Sequence, residues 1–88
     1  MLTLGPWDMS LALGLDPRRL PHPEIDDVLA RLIETGRRHG VAVGAGAGSP
    51  AGVGELQAAG VTFVSHGSDY SLLADAAKAG LAAFQRDV

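Results

Sequence analysis

The chain has no cysteine, which excludes a disulfide scaffold and any thiolate metal site and leaves a cytoplasmic setting as the expectation. No run approaches the ~18 apolar residues of a membrane-spanning helix, and the first residues carry no basic signal-peptide stretch. Basic side chains are few: seven against ten acidic ones, for a net charge of -3. Arg18, Arg19, Arg37 and Arg38 are dispersed along the chain, so no clustered basic face is offered to a nucleic acid. Hydrophobic residues make up 47% and charged residues 19%, a balance that excludes a disordered tail. What the chain has in plenty is glycine, 12 in 88 residues, about twice the ~7% average, so many tight turns are expected. The length allows one small domain, below the usual ~100–150 residues.

Hydrophobic periodicity sets out the elements. Met1 to Leu4 is a short apolar run stopped by Gly5-Pro6 and reads as the end of a strand. A helical turn is predicted over Asp8 to Leu13, before Gly14, and residues 15–23, with three prolines and no apolar period, read as a loop. From Pro23 to His39 a helix is predicted, with Ile25, Val28, Leu29, Leu32 and Ile33 on one stripe. Pro23 suits its first position, Glu24, Asp26 and Asp27 suit the positive end of its dipole, and Arg37, Arg38 and His39 suit the negative end. Gly40 can close it in the left-handed conformation. Val41 to Ala45 reads as a buried strand, followed by a Gly/Ala turn through Gly48. Ser49-Pro50 starts a short helix, Ala51 to Ala59, ended by Gly60. Val61 to Ser65 reads as the third strand, Gly67 to Asp69 as a turn, and Tyr70 to Arg86 as the last helix. The order β-α-β-α-β-α implies parallel strands joined by right-handed crossovers. Such a sheet wants cover on both faces, so three units look like part of something larger.

Residues 5–14, Gly5-Pro6-Trp7-Asp8-Met9-Ser10-Leu11-Ala12-Leu13-Gly14, resemble the GPxDLSxSLG signature of the HpcH/HpaI aldolase/citrate lyase family. His22-Pro23-Glu24-Ile25 is similar to that family's HPEV, Val43-Gly44 to its following strand, and Phe63-Val64 with Gly67-Ser68-Asp69 to its last strand and turn. All 88 residues are covered in order. The resemblance implies an α/β fold, the C-terminal segment of a TIM (β/α)8 barrel, with residues 1–88 supplying strands six to eight and their helices. It implies that Asp8 is one of two carboxylates holding a divalent cation, Mg2+ or Mn2+, and that a pyruvate-like 2-oxo acid binds there. Backbone N–H groups of Trp7 and Asp8 would take the substrate carboxylate, in a turn shaped by Gly5 and Pro6, and Gly44 and Gly46 would line the same pocket. The activity implied is cleavage of a 4-hydroxy-2-oxo acid to pyruvate and an aldehyde.

Plainer readings of the same residues stand beside these. By itself Asp8 reads as a helix-capping aspartate, Trp7 as a packing residue, His22 as a cap beside Pro23, and Asp69 as the cap of the last helix. His66, at a strand end where the family has an apolar residue, is a further functional candidate. The run at 44–49 lacks the lysine of a phosphate-binding loop and reads as a strand-to-helix connection. The family's second metal carboxylate, a glutamate, and its histidine and arginine fall on strands that precede Met1 in the resemblance. A complete active site on these residues is therefore not expected, and a homo-oligomer or a completing barrel segment is the expected partner, with residues 70–86 as the contact and the uncovered strand face apolar. The alternatives are a non-catalytic interaction module and the citrate lyase or malyl-coenzyme A lyase branch of the same family.

Overall fold

A computed structural model describes residues 1–86. Three parallel strands, β1 (Leu2–Thr3), β2 (Val43–Ala47) and β3 (Phe63–His66), lie side by side in chain order. Thr3 pairs with Gly44, and Gly44 to Ala47 pair in turn with Phe63 to His66. Helices α2 (Pro23–His39) and α3 (Pro50–Ala59) form the crossovers, while α1 (Pro6–Ala12) is a short turn after β1 and α4 (Asp69–Arg86) follows β3. The α/β class, the strand order and the parallel sense are those the periodicity predicts.

The helix α2 forms where its stripe falls. Pro23 occupies its first position behind His22, Glu24 and Asp26 sit in the first turn, and Arg37, Arg38 and His39 in the last. Ile25 is buried and Val28, Leu29, Leu32 and Ile33 are half-buried, so the predicted face is the one laid on the sheet. Gly40 ends the helix at φ +64°, a conformation that costs an L side chain about 1 kcal/mol or more.

Two strand boundaries differ from expectation, for one reason. The N–H of Val41 donates to the Gly36 carbonyl at 2.8 Å, and that of Val61 to the Leu56 carbonyl at 3.0 Å. In each case the residue after the left-handed glycine is taken up in closing the helix. The ladders therefore begin at Val43 and Phe63 rather than at Val41 and Val61, and they run on to Ala47 and His66. The first helix starts at Pro6, two residues earlier than predicted, because proline's missing N–H costs nothing at that position. Ser10, fully buried, donates from Oγ to the Pro6 carbonyl at 2.6 Å and ties that turn together. Residues 15–23 hold a short 3₁₀ turn, Pro17–Arg19, within the expected loop. Ser68 stands at the cap position of α4, its Oγ accepting from the Ser71 N–H at 3.1 Å, while Asp69 is the first helical residue and accepts from the Tyr70 N–H at 2.8 Å.

Leu4, Ile25, Val43, Ala45, Ala47 and Val61 make the core between the sheet and α2 and α3. The opposite face of the sheet is open. It carries Thr3, Phe63 and Ser65 beside the bare backbones of Gly44 and Gly46, so the expected apolar strand face is reduced to one large side chain, Phe63. The exposed apolar surface lies elsewhere. Tyr70, Leu72, Leu73, Leu81 and Phe84 of α4 are all exposed, and α2 and α3 are the helices that pack on the sheet. The reason is that β3 is an edge strand, with no further strand beside it among the described residues for α4 to cover.

Candidate functional site

Gly5, Pro6, Trp7 and Asp8 follow the C-terminal end of β1 and Gly46 stands near that of β2, whereas Gly44 lies at the start of β2, opposite the first residue of β3. The chain leaves β1 through Leu4, whose N–H still bonds the Gly44 carbonyl at 3.1 Å, and turns at Gly5-Pro6 into α1. The first helical bond runs from the Met9 N–H to the Gly5 carbonyl at 2.9 Å, so the N–H groups of Trp7 and Asp8 precede the ladder and have no partner among the described residues. Asp8 is three residues inside the cap position, which Gly5 occupies. It is therefore not the cap its residue type suggested. Its carboxylate folds back over Gly5, with Oδ2 3.3 Å from where a Cβ on Gly5 would sit. A side chain at residue 5 would crowd it.

Asp8 is exposed and makes no side-chain hydrogen bond or ion pair among the described residues. No group of three or more acidic or histidine side chains able to hold a metal ion occurs among those residues. The donor set on this chain is thus a single solvated carboxylate, which does not by itself fit a dication that asks for about six oxygens. Trp7 is half-exposed beside it. Gly44 and Gly46 fall on the open face of the neighbouring strand, where a Cβ on Gly44 would meet the Phe63 ring at 3.3 Å and Thr3 Oγ1 at 3.4 Å. Pro6 and Gly46 also border a cleft of about 510 Å³ behind the sheet, with Leu20, His22, Ile25 and Leu56 around it. Gly5, Trp7, Asp8 and Gly44 are not part of that cleft.

The three histidines separate. His22 stands at the N-cap of α2, as expected, but its side chain makes no cap bond: Nε2 donates to the Asp16 carbonyl at 2.7 Å. His66 Nδ1 lies 2.9 Å from the Ala47 carbonyl. A carbonyl oxygen only accepts, so Nδ1 carries the hydrogen and pins the ends of β2 and β3. His39 is exposed at the basic end of α2. Ser65, which the sequence pattern did not single out, stands beside Gly46 on the open face. Strict alternation from Phe63 would have placed it there.

The rim loop that follows α1 is held by Asp16. Arg18 grips its carboxylate with Nε at 3.0 Å and Nη2 at 3.1 Å, and the Arg18 N–H donates to the same side chain. The guanidinium bond, then the backbone bond, hold the Asp16 carboxyl below the ordinary aspartate value. Since folding favours the carboxylate, its contribution is complete above the ordinary range and is lost as pH falls through the lowered value. A ¹³C titration of the Asp16 carboxyl is expected to give a midpoint below that of an unfolded aspartate, and Arg18→Ala is expected to raise it part of the way back, since the backbone N–H of residue 18 still donates.

No family model and no curated protein matches the chain. Among solved structures, it is similar to an HpcH/HpaI aldolase/citrate lyase family protein from Burkholderia cenocepacia, with a TM-score of 0.80 and 34% identity. That match covers 96% of this chain and 32% of the other, so the chain spans about a third of that protein's length. Three parallel strands with helical crossovers define the chain as a segment of a TIM-barrel-type aldolase fold. That structure's family is the one the strand-end motifs of this chain resemble.

Proposed function

We propose that the chain is the C-terminal third of a divalent-metal-dependent aldolase, strands six to eight of the barrel, that cleaves 4-hydroxy-2-oxo acids to pyruvate and an aldehyde. The observation that carries this reading is the Gly5–Asp8 turn at the end of β1: two unpaired N–H groups and one unpaired carboxylate, with the bare backbone of Gly46 on the adjacent strand. In this reading Trp7 and Asp8 N–H donate to the carboxylate of the 2-oxo acid, and Asp8 supplies one oxygen to a dication whose other protein ligands come from strands outside these residues. When bound, Mg2+ or Mn2+ supplies stabilisation of developing negative charge on the keto oxygen. The chain's own part is to bind and orient the acid at the strand ends, where barrel enzymes place their chemistry.

The test is complementation. The 88-residue chain is assayed alone and after co-expression with a polypeptide carrying the remaining barrel strands of an HpcH/HpaI aldolase, with pyruvate release from a 4-hydroxy-2-oxo acid as the readout. No turnover alone and manganese-supported turnover in the completed barrel are expected. Robust turnover by the lone chain, or none in a folded completed barrel, would overturn the reading.

The exposed apolar residues of α4 favour a second property, association through residues 70–86 with a second copy of the chain. Sedimentation at micromolar concentrations is expected to give dimers or larger species, and Leu73→Asp with Phe84→Asp is expected to shift them to monomer. A monomer throughout would remove association from the reading and leave the barrel complementation untouched.

A further inference from the structure

We infer that Ser65 is a specificity-determining residue whose hydroxyl binds the oxygen of the aldehyde portion of the substrate, an inference that rests on the 2-oxo acid reading of the Gly5–Asp8 turn. The open face of the sheet is built in rows. Thr3, Gly44 and Phe63 form one row. Two residues further along, Gly46 pairs with Ser65, and Gly5 follows Leu4, whose N–H bonds the Gly44 carbonyl, just past the end of β1. Two of those three positions have no side chain, so together they outline a trough with a wall at each end. Asp8 Oδ2 stands 3.3 Å from a Cβ position on Gly5, and Ser65 Oγ stands 3.4 Å from a Cβ position on Gly46. Ser65 leans over the strand between them, so the two polar groups flank the bare backbone of Gly46 from opposite sides.

Ser65 is also set apart from the other serines. Ser10, Ser49, Ser68 and Ser71 each commit their hydroxyl to a neighbouring group. Ser65 is exposed and has no side-chain partner among the described residues. A hydroxyl both donates and accepts, which suits an oxygen that is a hydroxyl in the 4-hydroxy-2-oxo acid and a carbonyl in the released aldehyde. His66, the next residue, is not placed for this role, because strand alternation turns it to the other face and its Nδ1–H is held by Ala47.

The completed barrel separates this inference from the reading beneath it. Hydrogen–deuterium exchange at C3 of pyruvate needs only the 2-oxo acid half of the site, whereas cleavage of 4-hydroxy-2-oxopentanoate needs both halves. Ser65→Ala is expected to lower the cleavage-to-exchange ratio about tenfold, the loss of one hydrogen bond, and Ser65→Thr to keep it within about threefold. An unchanged ratio in Ser65→Ala would overturn the role of Ser65 with the 2-oxo acid reading intact. Absence of exchange in the unsubstituted, folded barrel would overturn both. Because the chain has no cysteine, Ser65→Cys adds a unique thiol to it and gives a second measure. In a completed barrel whose remaining strands also lack cysteine, 2-oxopentanoate, long enough to pass over Gly46, is expected to slow alkylation of that thiol several-fold and pyruvate to leave it nearly unchanged. Equal rates with and without 2-oxopentanoate would count against the inference.

Discussion

In the completed barrel, Asp8→Ala is expected to reduce pyruvate release by about a thousandfold or more, roughly 4 kcal/mol of lost transition-state stabilisation. The size follows from what surrounds the carboxylate. Asp8 caps nothing, pairs with no cation and is solvated, so its removal disturbs no interaction that holds the fold. Whatever is lost is lost to the ligand. Asp8→Asn keeps the shape over Gly5 and removes the charge, and it is expected to be nearly as damaging. Asp69→Ala serves as the comparison, since the α4 cap belongs to Ser68. The measurements are steady-state kinetics with manganese and far-UV circular dichroism of each variant. Retention of full activity by Asp8→Ala would remove this residue from the site.

Gly36→Ala is expected to be the most damaging single substitution for stability among the glycines of the helices. A Cβ there would fall 2.5 Å from the Val41 carbonyl oxygen and 2.7 Å from Val43 Cγ2. The first neighbour is backbone, fixed by the bond from the Val41 N–H to the carbonyl of Gly36 itself. Neither can move without lifting the last turn of α2 off the start of β2. Overpacking of this kind costs ~1–3 kcal/mol or more, against ~1 kcal/mol gained from the better helix propensity of alanine. A net loss of about 2 kcal/mol would lower the melting temperature of a domain this size by roughly 10 °C. Gly54→Ala is the contrast: it lies within α3 and nothing stands within 4 Å of its Cβ position. There the propensity gain acts alone and the melting temperature is expected to rise. Thermal unfolding of the two variants beside the parent chain measures both effects.

Both predictions mark where sequence patterns carry information and where they stop. The stripe from Ile25 to Ile33 fixes α2 and its buried face, because helical period and burial are the same fact for an isolated amphipathic segment. The β-α-β-α-β-α order implies the parallel sheet, because short connections through helices leave few other topologies. The Gly5–Asp8 turn is legible because a Gly-Pro after a strand has few conformations open to it. The strands start after Val41 and Val61 rather than at them, since whether a residue after a glycine closes the helix or opens the ladder depends on which carbonyl it meets. Asp8 and Asp69 carry the residue type of a cap without the position for a related reason: residue type marks the neighbourhood of a helix start, while the backbone decides which residue stands outside it.

The chain's own residues therefore determine its elements, their order and the family resemblance at the strand ends. Only the tertiary structure decides which groups face one another. It sets Ser65 beside Gly46 through the register of β2 and β3, and brings Gly5 to the end of β1 next to them, where the Leu4 N–H still bonds the Gly44 carbonyl, relations that no local pattern encodes. It leaves the apolar side of α4 uncovered, although its composition reads like that of a packed helix. It turns Gly36 from a poor helix former into a contact that no other residue can make. The physical reason is the same throughout: periodicity reports which face of an element is apolar, and only packing fixes what that face meets.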